Sequence, residues 1–348
     1  MIPVFDGHND TLLLHAEKPE RDFFARHEDG HLDYQRGREA GFAGGFFAVF
    51  APSHPAPELD RLVRRPDGTT EPAPTGALDP SEATRHVNRM VAQFLRWSQD
   101  PEGRFRHVTT AEELERSIAD GTMAGILHFE GAEAIGPDLH ALDVYHAAGL
   151  RSLGPVWSRP NLFGHGVPFV FPATPDLGPG LTAHGRALVR RCNELRIMID
   201  LSHITERGFW DVAEMSTAPL VATHSNAHAV SPHPRNLTDA QLDAVAKSDG
   251  LVGLNFATSF LSPEGSGDVG LPLEAMVRHV DHLVDKLGIE GVAFGSDFDG
   301  ATMPSAIGDV RGVQRLLDAL ADAGYDEAAL RKLAHENWVR VLRLTWGA

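Results

Sequence analysis

Short apolar runs recur along the chain, each ending in glycine or in a cluster of polar residues. They read "IPVFDGHND", "GFAGGFFAVF" (41–50), "AGILHFEG" (124–131), "LRSLGPVW" (150–157), "IMIDLSH" (197–203), "PLVATHS" (219–225), "GLVGLNFA" (250–257) and "GVAFGSDFDG" (291–300). Near-continuous runs of this kind predict parallel strands buried on both faces. Eight of them, alternating with helix-like stretches, predict an α/β fold in which the sheet closes into a (β/α)8 TIM barrel. The helices carry their own signals. "TAEE" (110–113) and "TDAQ" (238–241) fit the capping box, with Gly121 and Gly250 as stops. In 204–216, Phe209, Val212 and Ala213 fall at helical spacing.

Two stretches break the rhythm. Residues 51–80 hold seven prolines and little periodicity, and read as an insertion that decorates the surface. Residues 158–182 follow the fourth run, carry several aromatics and His165, and are expected near a pocket, because loops after barrel strands lie on the catalytic face. With no internal repeat or linker, residues 1–348 read as one domain.

The polar residues that end the runs form a pattern of their own. The first run supplies His8 and Asp10, the third Glu130, the fifth His203, the sixth His224, and the eighth Asp297 and Asp299. On a barrel they converge on one rim. Taken singly, each has a plainer role: Asp6, Asp200 and His128 read as supporting groups, and Asp299 as a turn residue bonding backbone. Taken together, three histidines with several carboxylates suit zinc or a similar divalent ion. Five ligands exceed what one open catalytic zinc needs. The pattern fits two ions, one on His8 and Asp10, the other on His203 and His224, with Glu130 bridging. The only lysines, Lys18, Lys247, Lys286 and Lys332, end none of the predicted strands, which leaves Glu130 as the natural bridge.

Composition then removes classes. A formal net charge of −17 argues against a nucleic-acid partner, which needs a basic stripe. Cys192 is the only cysteine, so any metal must be held by histidines and carboxylates. Most of the 19 histidines, His279 among them, sit in polar or helical surroundings and read as surface residues. Neither a signal-peptide pattern nor an apolar run of transmembrane length is visible, and a cytoplasmic protein without a membrane partner is expected.

The motifs "DGHND", "EGAEAI", "DLSH", "THSNAH", "RNLTD", "GSDFDG" and "ENWVRVL" span essentially the whole chain and resemble the renal, or membrane, dipeptidases, metallopeptidases of the amidohydrolase superfamily. The His-x-Asp of the first run, in place of the superfamily's commoner His-x-His, is fairly specific to them. The resemblance implies two zinc ions on His8, Asp10, Glu130, His203 and His224, a substrate carboxylate on Arg235, and proton handling by Asp297. The planar fork of an arginine suits a free carboxylate in its own right. Family members carry a histidine in a T-H-S segment after the fourth strand, in contact with the scissile carbonyl oxygen. Here the segment reads "VWS", with Trp157 in that place, and an indole can only donate an N–H. His165 is the candidate replacement, and both are expected to touch substrate. The implied reaction is hydrolysis of free dipeptides, L,L and L,D alike, and a homodimer is implied in the same way. Two rivals stay open: a deacylase of N-acyl amino acids on the same barrel, and a non-catalytic peptide-binding homologue.

Overall fold

The computed structural model describes residues 1–53, 56, 58–64, 70–73 and 75–347. Its centre is a ring of parallel strands, β1 (Val4–Asn9), β2 (Phe42–Phe50), β3 (Met123–Glu130), β4 (Leu150–Gly154), β5 (Met198–Ile199), β6 (Val221–Ala222), β7 (Leu251–Leu254) and β8 (Val292–Phe294). Continuous ladders join β1 to β5 in order and β6 to β8 in order. Single parallel bridges, Asp200 to Val221 and Asn9 to Phe298, close the two arcs into the expected barrel.

Period-two alternation separates the two faces of the ring. Phe5, Phe46, Ala124, Ile126, Met198, Val221, Leu251 and Ala293 pack together in the interior. Outward residues such as Phe47, Leu127 and Val252 join the larger cluster beneath the helices. Continuing the inward register of β3 brings His128 and then Glu130 to the mouth. Trp338 plugs the opposite end, and its indole N–H donates to the Phe294 carbonyl at 3.0 Å. The plug explains Gly7, where a Cβ would lie 2.3 Å from the Trp338 ring.

The capping boxes form as expected. Thr110 caps the helix Ala111–Asp120, which ends at Gly121 with φ 73°. Gln241 accepts the Thr238 N–H at 2.9 Å at the start of Asp239–Lys247. The stop expected at Gly250 is made one residue earlier, where Asp249 takes φ 55°. The helix Glu206–Met215 buries Phe209 and Val212.

Strands β5 to β8 are shorter than their apolar runs, because the backbone leaves the ladder before the polar residues begin. His203 and Asp297 adopt left-handed φ values of 68° and 63°, which β-ladders exclude. Two elements were not expected. Phe105–His107 adds a parallel strand along residues 123–125 of β3, and Leu62–Arg64 pairs antiparallel with Thr70–Pro72 inside the Pro-rich insertion. Residues 54, 55, 57, 65–69 and 74 of that insertion lie outside the described residues. Most of the described residues of the insertion are exposed, as expected of surface decoration, but its first part is tied inward at Ala51 and Leu59, and the Leu59 carbonyl accepts the Phe169 N–H at 2.8 Å. His279 is another correction, being fully buried beneath helix Leu273–Leu287. Among the described residues no helix is long and apolar enough to cross a membrane.

Candidate metal centre

At the mouth of the barrel the strand ends deliver their polar residues to one buried point. Glu130 Oε1 lies 2.9 Å from His203 Nε2, 3.5 Å from His224 Nε2 and 3.7 Å from His8 Nε2. His8 Nε2 is 3.4 Å from Asp10 Oδ2. The ligand atoms fall into overlapping groups, each spanning less than 4.8 Å: Glu130, His203 and His224 in one, His8, Asp10 and Asp297 in another, and His8, Asp200 and His224 in a third. The sequence reading of Asp200 as a supporting group survives in its main contacts, which go to Thr223 and Ser202.

The donor set fits a cation on three grounds. Both ring nitrogens of His8 and Oδ1 of Asp10 are buried without a hydrogen-bond partner, an arrangement that costs free energy unless something else satisfies them. Burial pushes Glu130 well above the usual carboxylate range, and Asp10 and Asp297 add to the effect. Burial opposes a charge on His8, yet Glu130, Asp10 and Asp297 outweigh it and raise the imidazole to about 10. The protein side is thus short of positive charge where these carboxylates meet.

The third ground is a tautomer. Thr223 Oγ1 lies 2.6 Å from Asp200 Oδ2 and 2.8 Å from His224 Nδ1. An ionised carboxylate only accepts, so the hydroxyl proton goes to Asp200, and His224 Nδ1 must donate to the hydroxyl oxygen. That leaves the Nε2 lone pair aimed into the cluster, the form a metal requires. His203 is held similarly, with Nδ1 2.7 Å from Ser158 Oγ. Burial keeps both rings neutral, pushing each well below the ordinary histidine value, and Arg235 acts in the same sense.

Asp297 is fixed by Asn255, whose Nδ2 donates to Oδ2 at 2.9 Å. Gly300 makes room beside it: a Cβ there would stand 2.0 Å from Asp10 Oδ2 and 2.7 Å from Asp297 Oδ1. Arg235 is buried beside the cluster, its Nη2 donating to the His224 carbonyl at 3.0 Å and its guanidinium 5.3 Å from the Phe260 ring centre. Its Nε has no partner, and no carboxylate of the described residues pairs with it. Burial lowers it to about 10.

A cavity of about 290 Å³ is lined by Asp10, Glu130, His203 and Asp297 together with Phe50, Trp157, Phe169 and Phe260; Arg235 lies behind its lining. Trp157 is therefore a wall residue. His165 is half-buried and stands outside the set of described residues that line the cavity. Sequence reasoning overlooked Ser158, Thr223 and Asn255. Asn255 was findable, being a polar residue at the end of an apolar run like the others; Ser158 and Thr223 sit beside singled-out residues but show no spacing signal of their own.

A closed parallel barrel with buried histidines and carboxylates at its mouth defines the class of this protein as a (β/α)8 barrel with a candidate metal site. Residues 1–346 match the membrane dipeptidase family, peptidase family M19, and the chain belongs to that family of metallo-dipeptidases. It is 51% identical to a solved dipeptidase described as a family M19 metallopeptidase, covering 100% of this chain and 99% of the other with a TM-score of 0.92. A metallopeptidase from Rhodobacter sphaeroides, solved with a phosphinate mimic of the dipeptide L-Ala-D-Ala, is 50% identical over 99% of each chain, again with a TM-score of 0.92. An amidohydrolase from Pseudomonas aeruginosa shares the fold at 20% identity and a TM-score of 0.76, covering 100% of this chain and 97% of the other.

Proposed function

We propose that the protein hydrolyses the peptide bond of free dipeptides, L,L and L,D, with two zinc ions as resident cofactors. His203 and His224 would hold one ion and His8 with Asp10 the other, with Glu130 shared between them. When bound, such a pair supplies Lewis acidity that makes water nucleophilic near neutral pH and polarises a carbonyl. The chain's own residues do the rest. Arg235 receives the substrate's terminal carboxylate, which confines the enzyme to short substrates. Asp297, turned toward the cavity by Asn255, takes a proton from the attacking water and passes it to the leaving amine. Trp157 forms part of the wall against which the substrate rests.

The observation that carries this reading is the buried Arg235 guanidinium, with an unpartnered Nε and no carboxylate of its own, beside a cluster built for cations. Glu130, Asp297 and Asp200 offset part of its burial at a distance, but no carboxylate of the described residues pairs with it directly, and a substrate carboxylate would supply that pair. The dipeptide mimic bound by the Rhodobacter sphaeroides relative supports an L,D substrate. The decisive experiment is a turnover screen of L,L and L,D dipeptides, with metal content measured on the same preparation. Gly-D-Ala should be cleaved and its N-acetyl derivative spared. Preference for the acetylated compound would instead establish an N-acyl amino acid deacylase, and tight dipeptide binding without turnover in zinc-loaded protein would establish a binding homologue.

A further inference from the structure

We propose that Arg159 is a positioning residue that clamps the Phe50–Trp157 wall of the cavity and thereby sets which substrate side chains are accepted. The substrate is taken from the dipeptidase reading above; the clamp rests on packing within this chain.

Arg159 is completely buried, which is rare for a guanidinium and is tolerated only when its N–H groups are matched. The matching is thorough and comes from separate segments. Nε donates to Glu133 Oε1 at 2.9 Å, Nη1 to Ser53 Oγ at 2.9 Å and Nη2 to the Ala51 carbonyl at 2.6 Å. Glu133 lies just beyond β3, while Ala51 and Ser53 begin the Pro-rich insertion beyond β2. One side chain thus ties together three of the loops around the mouth. Its guanidinium carbon is also 5.2 Å from the ring centres of both Phe50 and Trp157, within cation–π range.

Those two rings stand 4.9 Å apart and both line the cavity. Trp157 is only half-buried, because its inner face looks onto the cavity and onto the His203 ring 5.8 Å away. On that side it has only looser ring contacts, with Phe169 6.2 Å and His203 5.8 Å away. The closer Phe50 ring and the anchored Arg159 guanidinium stand behind it, so its orientation depends chiefly on them. Ser158, between the two, contacts His203 Nδ1. Consecutive residues therefore supply a wall, an orienter of a candidate metal ligand and an anchor. Lysine could not replace the anchor, since a point charge offers neither the planar fork nor the flat face that the rings meet.

The test is a binding cycle on zinc-loaded protein, using the phosphinate mimic of L-Ala-D-Ala as the probe and calorimetry as the readout. R159K and R159M should each weaken the mimic about tenfold with zinc content unchanged, and the same substitutions in a W157A background should change affinity less than about twofold. In turnover, R159K should raise KM with kcat nearly constant, and should narrow the preference between small and bulky dipeptides. A structural role alone would lower stability without this dependence on Trp157. Equal losses in both backgrounds, or unaltered affinity and selectivity, would overturn the proposal. Should both Arg159 variants fail to fold, S53A removes one anchor and leaves the ion pair. It must then weaken the mimic by about two- to threefold, again only when Trp157 is present, and no shift counts against the clamp. A parent protein that cleaves no dipeptide sinks the functional reading, while the binding cycle still decides the clamp.

Discussion

The two ends of the barrel bury polar groups in opposite ways. At the floor, Asn337 Nδ2 donates to the Ile289 and Val292 carbonyls, both at 2.7 Å, and the Trp338 indole is matched by Phe294. At the mouth, His8, Asp10 and Arg235 each keep a buried atom with no partner. The floor shows polar burial that holds a fold together, nearly complete in itself, with Arg340 Nε the one unmatched atom among the described residues of that helix. The mouth shows polar burial that waits for something else, and its incompleteness is the clearest functional signal in the molecule.

This contrast can be broken by mutation. The largest effect is expected at Glu130, which every histidine of the cluster approaches. Glu130→Gln should reduce metal content and lower turnover by at least about 10³-fold, checked by metal analysis beside kinetics. Asp297→Asn should come next, costing kcat about 10³-fold with metal retained; unchanged rates would remove its assigned role. Arg235→Met sharpens the comparison most directly. It should raise KM about 100-fold while leaving stability to urea unchanged or higher by about 1 kcal/mol, because it deletes a buried charge that has no direct ion-pair partner. Asn337→Ala, at the floor, should do the reverse, lowering stability by about 2 kcal/mol with KM unaffected. If both variants lose stability alike, the distinction between the two ends fails.

The smallest effect concerns a satisfied group away from both ends. Neutral His279 accepts the Ala227 N–H at Nδ1 and lies 3.1 Å from the Leu261 carbonyl at Nε2. Burial lowers it from the ordinary 6.5 to about 4. Between those values the unfolded chain binds a proton that the folded one refuses, so the stability present above pH 6.5 is lost as pH falls toward 4. His279→Gln should flatten unfolding free energy against pH in that window. A curve as steep as the parent's would show that other buried histidines carry the effect.

The barrel was legible because its signal is local. Each apolar run reports burial on both faces, and the polar residue that ends it reports the mouth. The residues proposed as metal ligands stood out for the same reason, being of the right type at the end of a run. Trp157 was legible only as a departure from a family pattern, and its place in the cavity wall had to be seen. The short final strands were not legible, since apolar character continues past the last ladder bond while φ turns positive at His203 and Asp297. Residues 51–80 were legible as largely exposed, but proline density hid the few that face inward: Ala51, Ser53 and Leu59 hold the loop beyond β4.

What the amino-acid order determined alone was the class of architecture and the chemical character of one rim, since periodicity and residue type need no partner to be read. Only the folded chain decided that Thr223 gives its proton to Asp200 and so frees the His224 lone pair, that Asn255 turns Asp297, and that Arg235 has no direct ion pair among the described residues. It also decided that Ser53 meets Arg159 across 106 positions. Hydrogen bonding and burial belong to pairs of groups brought together in space, and no spacing along the chain encodes which pairs will meet.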